Sequence, residues 1–144
     1  MARNQTISPY LPDRTELGYG AWTDTDINKA VTLRDASTVE LANSGDEIYG
    51  FVTAVEVGTS GGYRVMSVAA DPGREVYATD ESGGLAVGTV VKAGTETALG
   101  TQLTSYQKVV TAGNAAAQGA VIFKWVVVAT SGGAAGSTVL LRAR

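Results

Sequence analysis

Three runs rich in β-branched and aromatic residues follow one another between Gly45 and Thr79, with short clusters of turn residues between them. The runs cover roughly residues 47–58, 63–70 and 74–79. In the second cluster, Pro72 fixes φ for the first central turn position and Gly73 supplies the positive φ of the next. The pattern therefore predicts three consecutive antiparallel strands joined by hairpin turns.

Alternation of apolar and polar residues predicts further strands on both sides of this central stretch. Their approximate bounds are Lys29–Leu33, Thr38–Leu41, Leu85–Lys92, Gln118–Thr130 and Ser137–Arg142. In the first of them we expect Val31 and Leu33 to face the core. In the segment 118–130, the face with Phe123 and Trp125 should be buried.

The signal is weaker between residues 93 and 117. Leu99, Leu103, Tyr106 and Val110 have helical spacing, but Gly100 and several threonines and serines lie among them. A short helix and a loop both remain open for residues 98–110, and residues 112–118 are expected to form a loop.

The first 26 residues contain aromatic side chains without regular periodicity. They predict an extended N-terminal arm, followed by a β domain over residues 27–144. One hypothesis is that the arm contacts a neighbouring subunit; its candidate partner-binding residues are Tyr10, Pro12, Tyr19 and Trp22. The alternative is that Tyr19 and Trp22 cap the open end of the chain's own barrel. If the arm contacts a partner, deleting residues 2–22 should leave a folded domain that binds this partner far less well.

A chain of 144 residues fits one domain. The predicted fold class is all-β, a small antiparallel β-barrel or β-sandwich, because the two architectures share the same alternation. The string Thr-Ser-Gly-Gly occurs at residues 59–62 and again at 130–133. We interpret it as one turn chemistry used twice, with two related hairpins as the alternative.

Composition excludes several classes of function. The chain has no cysteine and no histidine, which removes thiolate metal sites, disulfides and the commonest general base. A net charge of −3 without a basic cluster argues against nucleic-acid binding. The most apolar segment, residues 120–129, is broken by Lys124 and is too short to span a bilayer, so no membrane partner is expected.

No motif predicts catalysis, a cofactor or a metal. Asp24, Asp26, Asn28 and Asp35 have a spacing similar to a calcium loop, but Lys29 stands where that loop needs glycine. Asp24 and Asp26 are therefore expected to be solvated loop or capping residues. The adjacent acids Asp46-Glu47 and Asp80-Glu81 are expected to lie in exposed turns, where nothing would shift their pKa values for acid–base work. We expect no enzyme.

Three segments carry a resemblance to a known family: Gly45-Asp46 through Val52, then Gly88-Thr-Val-Val91, then Val139–Arg142. Over residues 38–144 the chain resembles the small head decoration proteins, or capsid cement proteins, of tailed bacteriophages. The resemblance implies a small β-barrel or β-sandwich without catalytic residues. It also implies a homotrimer on the outer surface of the expanded head, made in the host cytoplasm and bridging major capsid proteins.

An alternative from a different class is an adhesion or glycan-binding module displayed on a virion. Tyr49, Tyr63 and Tyr77 lie on the central strands and could form an aromatic platform for a sugar. Cross-strand pairing explains the same tyrosines without a ligand.

Overall fold

The chain forms an all-β structure with two five-stranded sheets. The computed structural model describes residues 13–20, 22–60, 63–95, 106–112 and 124–144. Their strands are β1 (Arg14–Gly18), β2 (Ala30–Leu33), β3 (Thr38–Leu41), β4 (Gly50–Ser60), β5 (Tyr63–Ala69), β6 (Glu75–Asp80), β7 (Val91–Ala93), β8 (Lys108–Thr111), β9 (Trp125–Thr130) and β10 (Thr138–Ala143). A single 3-10 turn, Asp24–Asp26, precedes β2. Among these residues no helix is long and apolar enough to cross a membrane.

The first five strands close into a barrel in the order β1-β3-β2-β4-β5. β1 pairs in parallel with β3 and antiparallel with β5, which joins the two ends of the sheet. The long hairpin β4–β5 and the shorter pair β2–β3 supply the antiparallel remainder. Closure removes most of the unpaired edge that an open sheet of this size would expose.

The second sheet, β7-β8-β6-β10-β9, repeats the connectivity of the barrel. Its first strand also pairs in parallel with its third (β6–β8) and antiparallel with its fifth (β6–β10). Its remaining ladders, β7–β8 and β9–β10, are antiparallel, as in the barrel. In the barrel, β2 pairs with β4. At the equivalent place in the second sheet, an isolated bridge between Val90 and Val126 brings together the two outer strands, β7 and β9.

The repetition extends to individual hydrogen bonds. In the barrel, the Val52 N–H donates to the Lys29 carbonyl and the Asn28 N–H donates to the Val52 carbonyl. In the second sheet, Val127 makes the same two bonds with Thr89 and Gly88. Asn28 has a positive φ of 77°, and Gly88 has a φ of 93°. The two halves therefore share a left-handed residue at the same point of the fold.

Both hairpins also carry an irregularity at the same place. The register of β4 against β5 shifts after Val52, and that of β9 against β10 shifts after Val127. Val52 pairs with Val68, and Val127 pairs with Leu141. Val52 is therefore equivalent to Val127, and Val68 to Leu141. We conclude that residues 13–70 and 74–144 are two copies of one five-stranded unit, called here the N-terminal and C-terminal halves.

Each half has its own buried cluster. In the N-terminal half the cluster fills the barrel: Trp22, Val31, Val39, Val52, Met66, Val68 and Ala70. The cluster of the C-terminal half also includes residues contributed by the N-terminal half, namely Ala30, Ala42, Ile48 and Phe51. Phe51 meets Trp125 edge to face with ring centroids 4.8 Å apart. The contact between the halves is therefore apolar and continuous with one core.

A buried glutamine adds a polar link between the halves. Gln107 is 1% exposed, and its side-chain oxygen accepts the Ala30 N–H at 2.9 Å. Its amide nitrogen donates to the Lys108 carbonyl at 3.0 Å. Because a buried amide without partners is costly, this pairing fixes β2 against the segment that leads into β8.

The structure places the start of the barrel earlier than the predicted boundary at residue 26. β1 at Arg14–Gly18 is one of its five strands, and Trp22 is 2% exposed inside it. Deleting residues 2–22 would remove that strand and a core side chain. The prediction that such a deletion leaves a folded domain is therefore wrong, whereas a deletion of residues 2–12 leaves all ten strands in place.

Several strand predictions are confirmed and others are wrong. Thr38–Leu41 matches β3, and the predicted strand Ser137–Arg142 matches β10, in which Val139 and Leu141 are buried. Of the predicted strand Leu85–Lys92, only its end belongs to β7, and Leu85 is instead a buried loop residue. Leu33 is 55% exposed at the end of β2 and not in the core.

Two predictions fall partly outside the described residues. In the segment 98–110, residues 106 and 107 have no regular structure and 108–110 begin β8, so the described end is not a helix, while residues 98–105 lie outside. For the segment 118–130, Trp125 and Val127 are buried in β9, and residues 118–123 lie outside.

Candidate interaction surface at the barrel end

The four predicted partner-binding residues have different surroundings. Tyr10 and Pro12 lie outside the described residues. Trp22 packs in its own barrel, and its indole N–H donates to the Tyr19 carbonyl at 3.1 Å. Tyr19 is 45% exposed. The described structure therefore brings one of the four, Tyr19, to the surface, and Trp22 is unavailable to a partner in this fold.

Gly18 explains how Trp22 enters the barrel. A Cβ built on Gly18 would overlap the end of Met66 and would lie 2.8 Å from the indole nitrogen of Trp22. Only a residue without a side chain leaves room for the indole at this point. The chain then turns outward at Tyr19, whose N–H donates to the Val39 carbonyl at 2.8 Å.

Tyr19 is joined at the surface by two residues from the end of β2. The Arg34 guanidinium lies over the Tyr19 ring, 3.7 Å from its centroid. Leu33 pairs across the ladder with Val39, the same residue that holds Tyr19. An exposed aromatic ring, an arginine and an exposed leucine are therefore gathered at one end of the barrel, a composition typical of protein interfaces.

A small pocket continues this surface. It has a volume of about 90 Å³ and is lined by Thr32, Leu33, Glu47 and Tyr49. Sites for small-molecule ligands usually measure about 300–1,000 Å³, so this pocket suits a single side chain better than a metabolite. We call Tyr19, Arg34 and the four lining residues the barrel-end surface.

The inner wall of the surface is polar and tightly bonded. The Tyr49 hydroxyl donates to Glu16 at 2.5 Å, and burial together with that carboxylate raises the pKa of Tyr49 to about 12. Lys124 lies over the Tyr49 ring at 4.6 Å and donates to the Ala70 carbonyl at 2.7 Å. Burial lowers the pKa of Lys124, because the ammonium has lost part of its hydration.

Glu47 is an acid of this surface whose burial is only partly offset by a neighbouring positive charge. Burial raises the pKa of the Glu47 carboxyl above its ordinary value, and the Lys124 charge opposes that shift only in part. The expectation that Glu47 is a fully solvated turn residue is therefore wrong. Its neighbour Asp46 does act as a turn residue, accepting the Asn43 N–H at 2.8 Å.

The other acidic candidates have structural roles. Asp80 is fully buried and not exposed as expected, and its carboxylate accepts the main-chain N–H groups of Gly83 and Leu85. Asp26 is 6% exposed; it accepts the Thr23 N–H and pairs with Lys29 at 3.0 Å. Of the two expected roles, solvated loop residue or capping residue, Asp26 therefore has the second. Within the described part of the chain, no group of three or more acidic side chains could hold a metal ion.

The described tyrosines do not combine into one platform for a sugar. Tyr49 is engaged with Glu16 and Lys124, whereas Tyr77 packs against Tyr106 on the C-terminal half, with centroids 5.9 Å apart. The side chain of Tyr63 lies outside the description. The sequence pointed to Tyr19 but missed Leu33 and Arg34, because alternation along β2 predicts an inward Leu33.

A comparison with protein-family models finds no match to this chain. A comparison with curated protein sequences also finds none.

Proposed function

We propose that this chain is a structural protein of a bacteriophage virion that binds the outside of the head and stabilises it by bridging major capsid proteins, as a homotrimer. The proposal assigns binding and no catalysis to the chain. It rests on the resemblance of residues 38–144 to head decoration proteins and on one structural observation. That observation is the barrel-end surface, where Tyr19 and Leu33 are exposed beside Arg34.

The fold supports this function through its stiffness. A closed barrel joined to a second sheet by an apolar contact resists deformation, so little ordering entropy would be lost on binding. A cement protein that touches several lattice neighbours at once gains strength from simultaneous contacts even where each contact is modest. Tyrosine and arginine are enriched among residues that dominate binding energy, which makes Tyr19 and Arg34 the expected anchors.

The resembling segments have defined places in this fold. Gly45 and Asp46 lie in the β3–β4 connection, where the N-terminal half contacts β7. Gly88 is the left-handed residue before β7, and Val139–Arg142 lies within β10. The first segment links the two halves and also contributes Glu47 and Tyr49 to the barrel-end surface, whereas the other two lie within the C-terminal half. The proposal therefore assigns the second and third segments to stability, and Tyr19 with its neighbours to attachment.

The test is co-sedimentation of the purified protein with expanded heads of its parent virus that lack it. We expect saturable binding at a copy number divisible by three and greater resistance of the heads to heat. Tyr19→Ala should weaken binding about tenfold or more, since loss of a central anchor costs more than about 1.4 kcal/mol. Circular dichroism would verify that the variant is folded.

Tyr77→Ala is the matched control, because Tyr77 is also an exposed tyrosine but lies on β6 of the C-terminal half. It should bind heads as the unmodified protein does. Absence of binding to every head form would overturn the proposal. Equal losses for Tyr19→Ala and Tyr77→Ala would contradict the assignment of the barrel-end surface.

A further inference from the structure

The two halves have the same strand connectivity but opposite net charge. Residues 13–70 contain nine acidic and four basic side chains, a net charge of −5, whereas residues 74–144 contain four acidic and six basic side chains, a net charge of +2. Net charge bears on association and not on the fold, so the shared architecture does not require this difference. In solution, the acidic half of one copy therefore attracts the basic half of another.

Most charged side chains of the described residues have a partner in the molecule. Asp26 and Lys29, for example, form a buried ion pair at 3.0 Å. Glu40 and Lys92 are two exceptions, because neither has an ion pair or a side-chain hydrogen bond within the described part of the chain. Both residues are only partly exposed. A charge that has lost part of its hydration is stabilised when an opposite charge is brought to it.

Glu40 and Lys92 belong to equivalent cross-strand pairs of the two halves. Glu40 on β3 pairs with Thr32 on β2, and Lys92 on β7 pairs with Val110 on β8. Each of these four residues follows a buried valine in the sequence. Since successive side chains of a strand point to opposite faces, all four point to the outer face of their sheet. The same place on the two halves therefore has a negative charge in one and a positive charge in the other.

We infer that the outer face of β2 and β3 in one copy of this chain binds the outer face of β7 and β8 in a second copy, with an ion pair between Glu40 and Lys92. The two faces belong to the same pair of strands in the duplicated unit, so they have similar backbone geometry and opposite charge. A contact between two identical faces would bring two glutamates or two lysines together, which is unfavourable. Repulsion between like faces thus selects the contact between unlike halves.

The contact is head to tail. An interface that joins different surfaces of the two copies generates a ring when the rotation between them closes, and a filament when it does not. The inference deepens the proposed homotrimer by naming its contact, and in that respect it rests on the proposed function. Its tests use the isolated protein without heads, whereas the proposed function is tested by binding to heads. The failure of one can therefore be told from the failure of the other.

A zero-length carbodiimide cross-linker tests the contact in the unmodified protein. The reagent joins a carboxyl group to an amino group in contact with it as an amide, and takes up the released water to become a urea. Equal amounts of ¹⁴N-labelled and ¹⁵N-labelled chains would be incubated together until they exchange, treated without heads, and analysed by mass spectrometry. We expect linked peptides of Glu40 and Lys92 that combine the two isotopes, which arise only between copies. Glu40→Gln should remove this product.

Charge reversal provides a second measurement. Sedimentation equilibrium should show self-association weakened by at least about tenfold in Glu40→Lys and in Lys92→Glu, because each variant places like charges opposite each other. The double variant restores an opposite pair and should associate about as strongly as the unmodified protein. Glu56→Lys and Arg144→Glu are the matched controls, because they make the same charge changes at exposed positions of the same halves. Both controls should associate as the unmodified protein does.

Far-ultraviolet circular dichroism confirms folding of all these variants. Raising the NaCl concentration from about 0.05 M to about 0.5 M should weaken self-association of the unmodified protein, because salt screens the charges. A monomeric unmodified protein, a double variant as weak as the single variants, or equal losses in the controls would overturn the inference. Losses that appear only as weaker binding to added heads would overturn it in favour of a charged partner on the capsid.

Discussion

Asn28 and Gly88 show at the residue scale how two copies of one unit meet the same backbone demand. Both have positive φ, 77° and 93°, at equivalent points before β2 and β7. Asparagine tolerates this region better than other residues with a side chain, and glycine adopts it without steric cost. The position, not the neighbouring side chains, therefore dictates which residues are acceptable.

Gly88→Ala should lower the free energy of unfolding by about 1–2 kcal/mol, the usual cost of a left-handed conformation for an L-residue. A Cβ at Gly88 would meet nothing within 4 Å, so no clash contributes to the loss. Gly88→Asn should cost less than Gly88→Ala, as Asn28 indicates. Urea denaturation of the three proteins measures both differences, and an asparagine as costly as alanine would contradict the explanation.

Glu47 gives a pH-dependent prediction. Its pKa is raised in the folded state by burial, so the ionised carboxylate destabilises the fold at neutral pH. Glu47→Gln should therefore raise the free energy of unfolding at pH 7, by less than about 1 kcal/mol because solvent still screens this group. As the pH falls through the raised pKa and below the ordinary value of 4.5, both proteins carry a neutral side chain and the advantage should disappear. Urea denaturation of both proteins at pH 7 and pH 4 measures the difference between their free energies of unfolding. A difference that grows at pH 4 would contradict the raised pKa of Glu47.

At the scale of the element, the two halves use different interactions to fix the loop that follows their first strand. In the N-terminal half, Gly18 makes room for Trp22, which plugs the barrel. In the C-terminal half the equivalent position is Asp80, since Gly18 pairs with Val39 as Asp80 pairs with Val109. The Asp80 carboxylate bonds the loop that carries the buried Leu85.

Asp80→Ala should lower the free energy of unfolding by about 2–4 kcal/mol, because one buried and one partly buried N–H group lose their acceptor. Asp80→Asn retains one side-chain acceptor, so its free energy of unfolding should lie between those of Asp80→Ala and the unmodified protein. Asp35→Ala is the control, since Asp35 also accepts main-chain N–H groups, from Ser37 and Thr38, but is exposed. Thermal and urea unfolding should give a much smaller loss for Asp35→Ala; equal losses would show that burial of Asp80 is irrelevant.

Most elements with dense β-branched residues were predictable from the sequence, whereas the first strand, which has few, was not. Thr38–Leu41 and the hairpin of β4 and β5 follow directly from alternation and turn residues. β1 (Arg-Thr-Glu-Leu-Gly) has one large apolar residue, so its place depends on main-chain bonds to β3 and β5 that local sequence does not encode. β8 was not predicted despite its two valines, because Tyr106 and Val110 continue the helical spacing that begins at Leu99.

The candidate surface was predictable only in part, because barrel closure decides which strand ends are exposed. Tyr19 follows from its aromatic character in an irregular segment, whereas Leu33 has the alternation of a core residue. The repeated Thr-Ser-Gly-Gly lies at both the β4–β5 and the β9–β10 hairpin, but not at equivalent positions, since Thr130 pairs with Val139 where Val55, and not Thr59, pairs with Met66. The string therefore fits one turn chemistry used twice, and the duplication is evident only from the strand pairing.

At the scale of the whole molecule, the two halves should unfold together. The C-terminal core includes Ile48 and Phe51 of the N-terminal half, and Gln107 bonds to Ala30. Neither half therefore keeps its full complement of buried contacts alone. Cooperative two-state unfolding is usual for domains of this size.

The two tryptophans provide one probe in each half, because Trp22 lies in the barrel core and Trp125 in the other core. In Trp22→Phe and Trp125→Phe, the remaining tryptophan reports on one half. Within each variant, the urea transitions followed by fluorescence and by circular dichroism should coincide. Separate midpoints within one variant would mean that the halves unfold independently.

The bonds around residues 73 and 74 have a consequence for topology. Asp13 forms an ion pair with Arg74, and Ala143 exchanges main-chain hydrogen bonds with Gly73 and Arg74. The first and last residues of the ten-strand path therefore meet at the linker between the halves. A short peptide joining them would make the path circular, and the exposed turn at residues 131–136 offers a place to open it again. The ten strands would then follow one another in a closed path, and any of them could serve as the first. A protein fused before Asp13 or after Arg144 would extend from the same side of the molecule.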